Sequence, residues 1–307
     1  MLVKESSWVQ LALRWQGSIA PIVLPGVLLC GGFGFFISLL DYLGIPVSWP
    51  GFDIVITNVS YNLVLGLLLV FRTNTSYERF WEGRKAWGTI TASIRNLGHL
   101  IWVSIAETEP TDREKKISTL RLLVAFAVAT KLHLRQQAID NELEALMTPD
   151  QFLKLKAVRL TPLQLAVWIG DYLQQQYNRN LVTTNQLTAM NVLVNELLEA
   201  ITTCERILLT PIPLAYAIYL KRLLLIYCLS LPFQVVDTLH LWTTPIAIIL
   251  SFVLLGIEEI GTEIENPFGN YANDLPLEEI CTIILDNIED LIAVNSQDHL
   301  EVTRNEL

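Results

Sequence analysis

The chain has 307 residues, of which 52% are hydrophobic and only 17% charged, with a mean hydropathy of +0.42. Soluble domains carry about a quarter charged residues, so the apolar surplus points to lipid and to a membrane protein. The net charge of −10 gathers toward the C-terminal end, and no basic patch with interleaved aromatics offers a nucleic-acid surface.

The first element, over residues 1–18, is an amphipathic run, Trp8-Val9-Gln10-Leu11-Ala12-Leu13-Arg14-Trp15, read as a cytosolic or interfacial helix. No apolar core with a small-residue cleavage site precedes it, which argues against a signal peptide. Residues 19–71 form the first transmembrane hairpin. Its first arm, about Ile19 to Leu43, opens with Pro21 and Pro25 and carries Gly31, Gly32 and Gly34, which let a neighbouring backbone approach closely. A turn-rich connection with Trp49 leads into the second arm, 54–71. There Asn58, Ser60, Tyr61 and Asn62 are costly against lipid and suit a wet or protein-facing surface. Leu63, Leu67 and Phe71 follow at i, i+4 and i+8, one stripe along the helix. Such a stripe is usually plain packing, and its sharper reading is a hydrophobic constriction that gates an ion path.

Residues 72–210 read as a cytosolic helical domain, with helical periodicity over Tyr77–Ala106, Asp112–Leu146, Pro162–Tyr177 and Leu187–Leu209. Thr148-Pro149-Asp150 and Thr161-Pro162 look like helix starts, a capping threonine followed by proline in the first turn. The apolar run between Arg121 and Lys131 is too short for the ~20 residues of a span and reads as a buried core helix. Residues 211–260 form the second hairpin, broken at 237–245 around Trp242. Lys221 and Arg222 interrupt its first arm and fit best at the inner interface. Residues 261–295 are an acidic loop and a further helix, and 296–307 a disordered tail. Of the 21 Lys and Arg residues, none lies in the 43–53 or 237–245 connections. The positive-inside rule therefore puts both termini and the middle region in the cytoplasm.

Chemistry-bearing motifs are absent: no GxSxG, P-loop, GxGxxG or HExxH occurs, and nothing suggests an enzyme. Cys30, Cys204, Cys228 and Cys281 lack metal-ligand spacing, so free buried thiols are expected. The cluster Glu258, Glu259, Glu263 and Glu265 could hold a divalent cation, but a solvated face pairing with Lys or Arg is the plainer reading, and Asp274 reads as a helix cap.

Arg14-Trp15-Gln16-Gly17-Ser18, the stretch Arg72-Thr73-Asn74-Thr75-Ser76-Tyr77-Glu78-Arg79-Phe80-Trp81-Glu82-Gly83-Arg84, and Glu265-Asn266-Pro267-Phe268-Gly269-Asn270-Tyr271-Ala272-Asn273-Asp274 resemble the bestrophin family in its bacterial, cyanobacterial and plastid branch. The resemblance implies an all-α membrane protein with four transmembrane helices, a large cytosolic helical domain, and a homopentamer in the lipid bilayer around one central pore. Anchored on Arg79-Phe80-Trp81, the family's neck positions fall on Leu63, Leu67 and Phe71; anchored on Asn195-Glu196-Leu197, its cytosolic aperture falls near Leu187 and Thr188. Asn58, Ser60 and Asn62 would add polar pore lining. Arg72, one residue beyond Phe71, would place a guanidinium ring at the pore mouth and favour anions; the plainer reading is an intersubunit ion pair with Glu78 or Glu82.

In the animal branch an acidic run after Asn-Pro-Phe-Gly forms a calcium clasp. Here Asn270–Asp274 contains one carboxylate, too few for calcium's oxygen shell, so no cofactor is expected. The function implied is a chloride channel passing small inorganic ions, multi-pass in the plasma or thylakoid membrane. A cation-selective channel of the same fold, or a secondary transporter, is the alternative.

Overall fold

A computed structural model describes residues 8–15, 17–47 and 59–305. Among these every regular element is helical, and the chain divides into two units, Met1–Phe80 with Thr210–Asp274, and Trp81–Leu209 with Leu275–Leu307.

The first unit begins with α1 (Trp8–Ala12) and α2 (Ala20–Tyr42). Proline in the first turn of α2 suits the missing N–H there. Gly44, at φ 75°, closes the other end. Its N–H donates to the Asp41 carbonyl at 2.9 Å, and that of Ile45 to Leu40 at 3.0 Å, so the last carbonyls are satisfied in a Schellman closure. α3 (Val59–Ser104) gives its Val59–Phe80 part to this unit. After the helices of the second unit come α9 (Leu214–Leu239), a 3-10 turn at His240–Trp242, and α10 (Thr243–Glu263). The break expected at 237–245 is this turn, where His240 takes φ 46°.

Burial explains how these helices meet. Leu65 and Leu69 of α3 pack with Leu220 and Leu224 of α9. α2 lies along α10, and the glycines permit it: a Cβ on Gly31 would sit 2.5 Å from Ile248 Cγ1. α2 and the α9–α10 stretch are each long and apolar enough to cross a membrane. Lys221 Nζ meets the buried Glu258 carboxylate at 2.8 Å, so the charge in α9 is locally neutralised. Start of the second arm, 54–58, lies outside the described residues.

The second unit holds the rest of α3 with α4 (Asp112–Leu134), α5 (Asn141–Glu144), α6 (Pro149–Lys156), α7 (Thr161–Asn178), α8 (Thr184–Leu209) and α11 (Leu277–Asn305). α4 also passes as a span by length and composition. Its Leu122–Ala129 stretch is nonetheless wholly buried inside this unit, as are Trp87, Ile90 and Ile94 of α3 and Ile284 and Ile288 of α11. It is a core helix. Thr148 caps α6 in a reciprocal box with Gln151, Pro149 following as expected. Cys204 and Cys281 are buried here, and burial pushes each thiol up to about 12. All four cysteines are free and buried.

Three boundaries differ from the sequence reading. A single helix over Asp112–Leu146 does not form: α4 stops at Leu134, Gln136 takes φ 55°, and Asp140 caps a new short helix through the Leu143 N–H at 3.2 Å. Thr161 is the first helical residue of α7 rather than its cap, a place taken by Leu160. And α11 runs to Asn305, through most of the stretch read as a disordered tail, because no Gly or Pro follows Pro276 to stop it.

Candidate ion-conducting surface

α3 turns about 100° per residue, which sorts its side chains into two faces. Leu65, Leu69, Arg72 and Ser76 are buried, and all lie within about 40° of the direction opposite Leu67. Leu63, Leu67 and Phe71 face the other way and are 60%, 45% and 60% exposed. Ser60, Asn74 and Glu78, all exposed, share that outer face by the same rotation. The triad singled out in the sequence is therefore one exposed apolar stripe, turned away from the subunit's own core.

Arg72 does not join it. One residue past Phe71 is about 100° of rotation, and this carries the side chain to the inner face. It is 3% exposed, with Nη2 2.7 Å from Glu265 Oε2 and 3.4 Å from Thr262 Oγ1. Within its own chain its carboxylate partner is Glu265 rather than Glu78 or Glu82, and Glu82 pairs with Arg206. Within its subunit Arg72 is a buried tie between α3 and the loop after α10, not a charge at a pore mouth. The carboxylate that holds it is itself held, since Glu265 Oε1 accepts the Ile212 N–H at 2.7 Å. Arg79, one helical repeat on, donates to the backbone carbonyls of Glu265 and Thr210.

The acidic cluster is absorbed into the same structure. Glu258 accepts from Lys221 and from Thr262 Oγ1, while Glu263 takes the Asn273 side-chain amide at 3.1 Å. Pairing with Lys and Arg was expected, but Glu258 is buried rather than solvated. Asp274 closes the loop, accepting the Tyr271 N–H at 2.7 Å, and α11 starts later, at Leu277.

The polar residues of the second arm part company. Ser60 lies on the stripe face, whereas Asn62 is exposed but turned about 140° from Leu67, so it does not line the same surface. Asn58 lies outside the described residues. Tyr61 faces protein: its hydroxyl donates to the Leu223 carbonyl at 3.1 Å and its ring stacks on Tyr227.

In the second unit, Leu187 is half-buried and Thr188 exposed in the first turns of α8. Thr183 and Gln186 cap this start reciprocally. Thr188 Oγ1 donates back to the Thr184 carbonyl at 2.9 Å, which occupies its hydroxyl proton.

Two placements escaped the sequence reading, which named both residues in other roles. Glu265 as the partner of Arg72 had no local signal, being far along the chain. Glu78 did have one, since seven residues from Phe71 is two turns on the same face.

A family model of bacterial and fungal bestrophin proteins matches residues 1–290. The voltage-dependent anion channel-forming protein alr2987 of Nostoc sp. is 52% identical, over 96% of this chain and 95% of its own. Its counterpart sll1024 of Synechocystis sp. is also 52% identical, over 94% and 92%. A crystal structure of a bacterial bestrophin homologue from Klebsiella pneumoniae superposes with a TM-score of 0.77 at 26% identity, covering 87% of this chain and 97% of that one.

Proposed function

The chain belongs to the bacterial and fungal bestrophin family, and on that premise we propose that it forms a chloride-conducting anion channel, a homopentamer around one central pore. It is not an enzyme but a membrane channel, and its work is to lower the cost of moving an ion through lipid. The neck is the stripe Leu63, Leu67 and Phe71, each level repeated around the fivefold axis, and narrow apolar rings of this kind gate by excluding water. Leu187 and Thr188 form a second restriction in the cytosolic part. Four helical segments span the bilayer: α2, the apolar start of α3, α9 and α10. Both termini and the second unit face the cytoplasm, on the side where Lys and Arg gather. The loop before α11 offers one carboxylate between Asn270 and Asp274, so gating proceeds without calcium.

The observation that carries this reading is the exposure of three large apolar side chains on the face of α3 opposite its core. Large exposed apolar stripes mark an interaction or a conduit. Purified protein in planar bilayers tests it. Single-channel steps with a reversal potential near that of chloride are expected, and Leu67→Ala widens the neck and raises conductance severalfold. A protein without unitary steps, or a Leu67→Ala variant identical to the parent, overturns the reading; mass determination in detergent counts the subunits.

A further inference from the structure

Past Phe71 the outer face of α3 stops being apolar. Asn74 and then Glu78 occupy it, and both are exposed. Glu78 lies seven residues beyond Phe71, or about 10 Å along the helix. No described residue of its own chain pairs with it: Arg72 is held by Glu265, Arg79 donates to two backbone carbonyls, and Lys85, the exposed cation seven residues further along the same face, lies over the Trp81 ring at 5.8 Å.

We propose that Glu78 sets the fixed charge at this mouth of the neck and makes conduction unequal in the two directions. The inference rests on the pentameric pore reading. One carboxylate per subunit converges near the axis, and such a ring thins out anions at its own end of the constriction. Chloride entering from that end is scarcer than chloride entering from the other. The channel therefore rectifies, passing anion current more easily toward the Glu78 mouth than away from it. Arg72, removed to the inner face, cannot offset it.

Salt makes the mechanism testable. Electrostatic reach is about 10 Å at 0.1 M ionic strength and about 3 Å at 1 M, so the ring's field spans to Phe71 only in dilute salt. In symmetric 0.1 M chloride, Glu78→Gln is expected to raise the weaker limb of the current–voltage curve by about twofold or more, toward symmetry. Glu78→Lys inverts the rectification. At 1 M the parent and both variants converge. Leu67→Ala, recorded in parallel, separates the two readings. If Leu67→Ala alters conductance while both Glu78 variants trace the parent curve at 0.1 M, the Glu78 assignment falls and the pore stands. An effect of the same size at both salt concentrations also overturns it, because a field from this position is screened at 1 M. If no variant changes anything, the pore reading itself fails.

Discussion

Removing Glu265 is the sharpest test of where Arg72 belongs. Arg72 is 3% exposed and the Glu265 side chain 16%, so the pair is largely out of water. Glu265→Ala leaves the guanidinium buried with only Thr262 Oγ1 at 3.4 Å, while Nε and Nη1 already lack a partner among the described residues. It also orphans the Ile212 N–H. Breaking a buried pair by deleting one partner costs about 3–5 kcal/mol. At ~2–4 °C per kcal/mol, the lower figure corresponds to a drop of about 6–12 °C in the midpoint of thermal aggregation in detergent. Arg72→Met combined with Glu265→Gln removes both charges and keeps an acceptor for Ile212, so it recovers most of that loss. Arg72→Glu sets two carboxylates face to face and loses folded protein without producing a cation channel. A well-folded Arg72→Glu channel whose reversal potential moves toward that of the cation would refute the argument and return the guanidinium to the conduction path.

Asp112 is enclosed at the start of α4 by both Arg179 Nη atoms, at 2.8 and 2.9 Å, and by the Thr108 and Glu109 N–H groups. The Arg179 guanidinium holds its carboxyl well below the usual carboxylate range, so the stabilisation is complete above an ordinary value of about 3.9 and is lost as pH falls toward the lower folded value. The thermal midpoints of the parent and Asp112→Asn should lie furthest apart above about pH 5 and converge in stronger acid; a constant gap would discount the ion pair. Gly31→Ala drives a Cβ to 2.5 Å from Ile248 Cγ1 and should cost about 1–3 kcal/mol. Ile248→Ala in the same chain should restore it, and a lack of rescue would put the cost elsewhere.

Periodicity made the apolar stripe legible, because i, i+4, i+8 spacing on a helix fixes a shared face without knowledge of any neighbour. The same arithmetic, applied to Arg72, would have turned it inward; adjacency to Phe71 in sequence is a rotation of about 100° in space. What arithmetic could not supply was Glu265, since a loop residue meets a helix only through the tertiary fold. Gly31 and its neighbours announced a close helix contact, and Ile248 proved to be what they approach. The end of α4 was illegible for a different reason: no Gly or Pro marks it, and the capping carboxylate of Asp140 wins over continued helix. Thr161 misled because a Thr-Pro pair serves equally at the first two helical positions.

A gate made of one side-chain stripe needs its helix held against rotation, and the inner face of α3 supplies that hold. A slip of one residue would turn the helix by about 100°, carrying Phe71 off its face. Four anchors oppose it. Tyr61 Oη reaches the Leu223 carbonyl, and Tyr216 Oη reaches that of Leu68 at 2.7 Å. Leu65 and Leu69 key into Leu220 and Leu224, and Arg72 is clamped by Glu265. Two of these are hydrogen bonds to or from α3, one is apolar interlock and one is ionic, so no single condition loosens them all: salt weakens charge, and cooling weakens apolar burial. On the proposed pore, the buried arginine acts on conduction without touching an ion, by fixing which residues of α3 are turned outward, Glu78 among them.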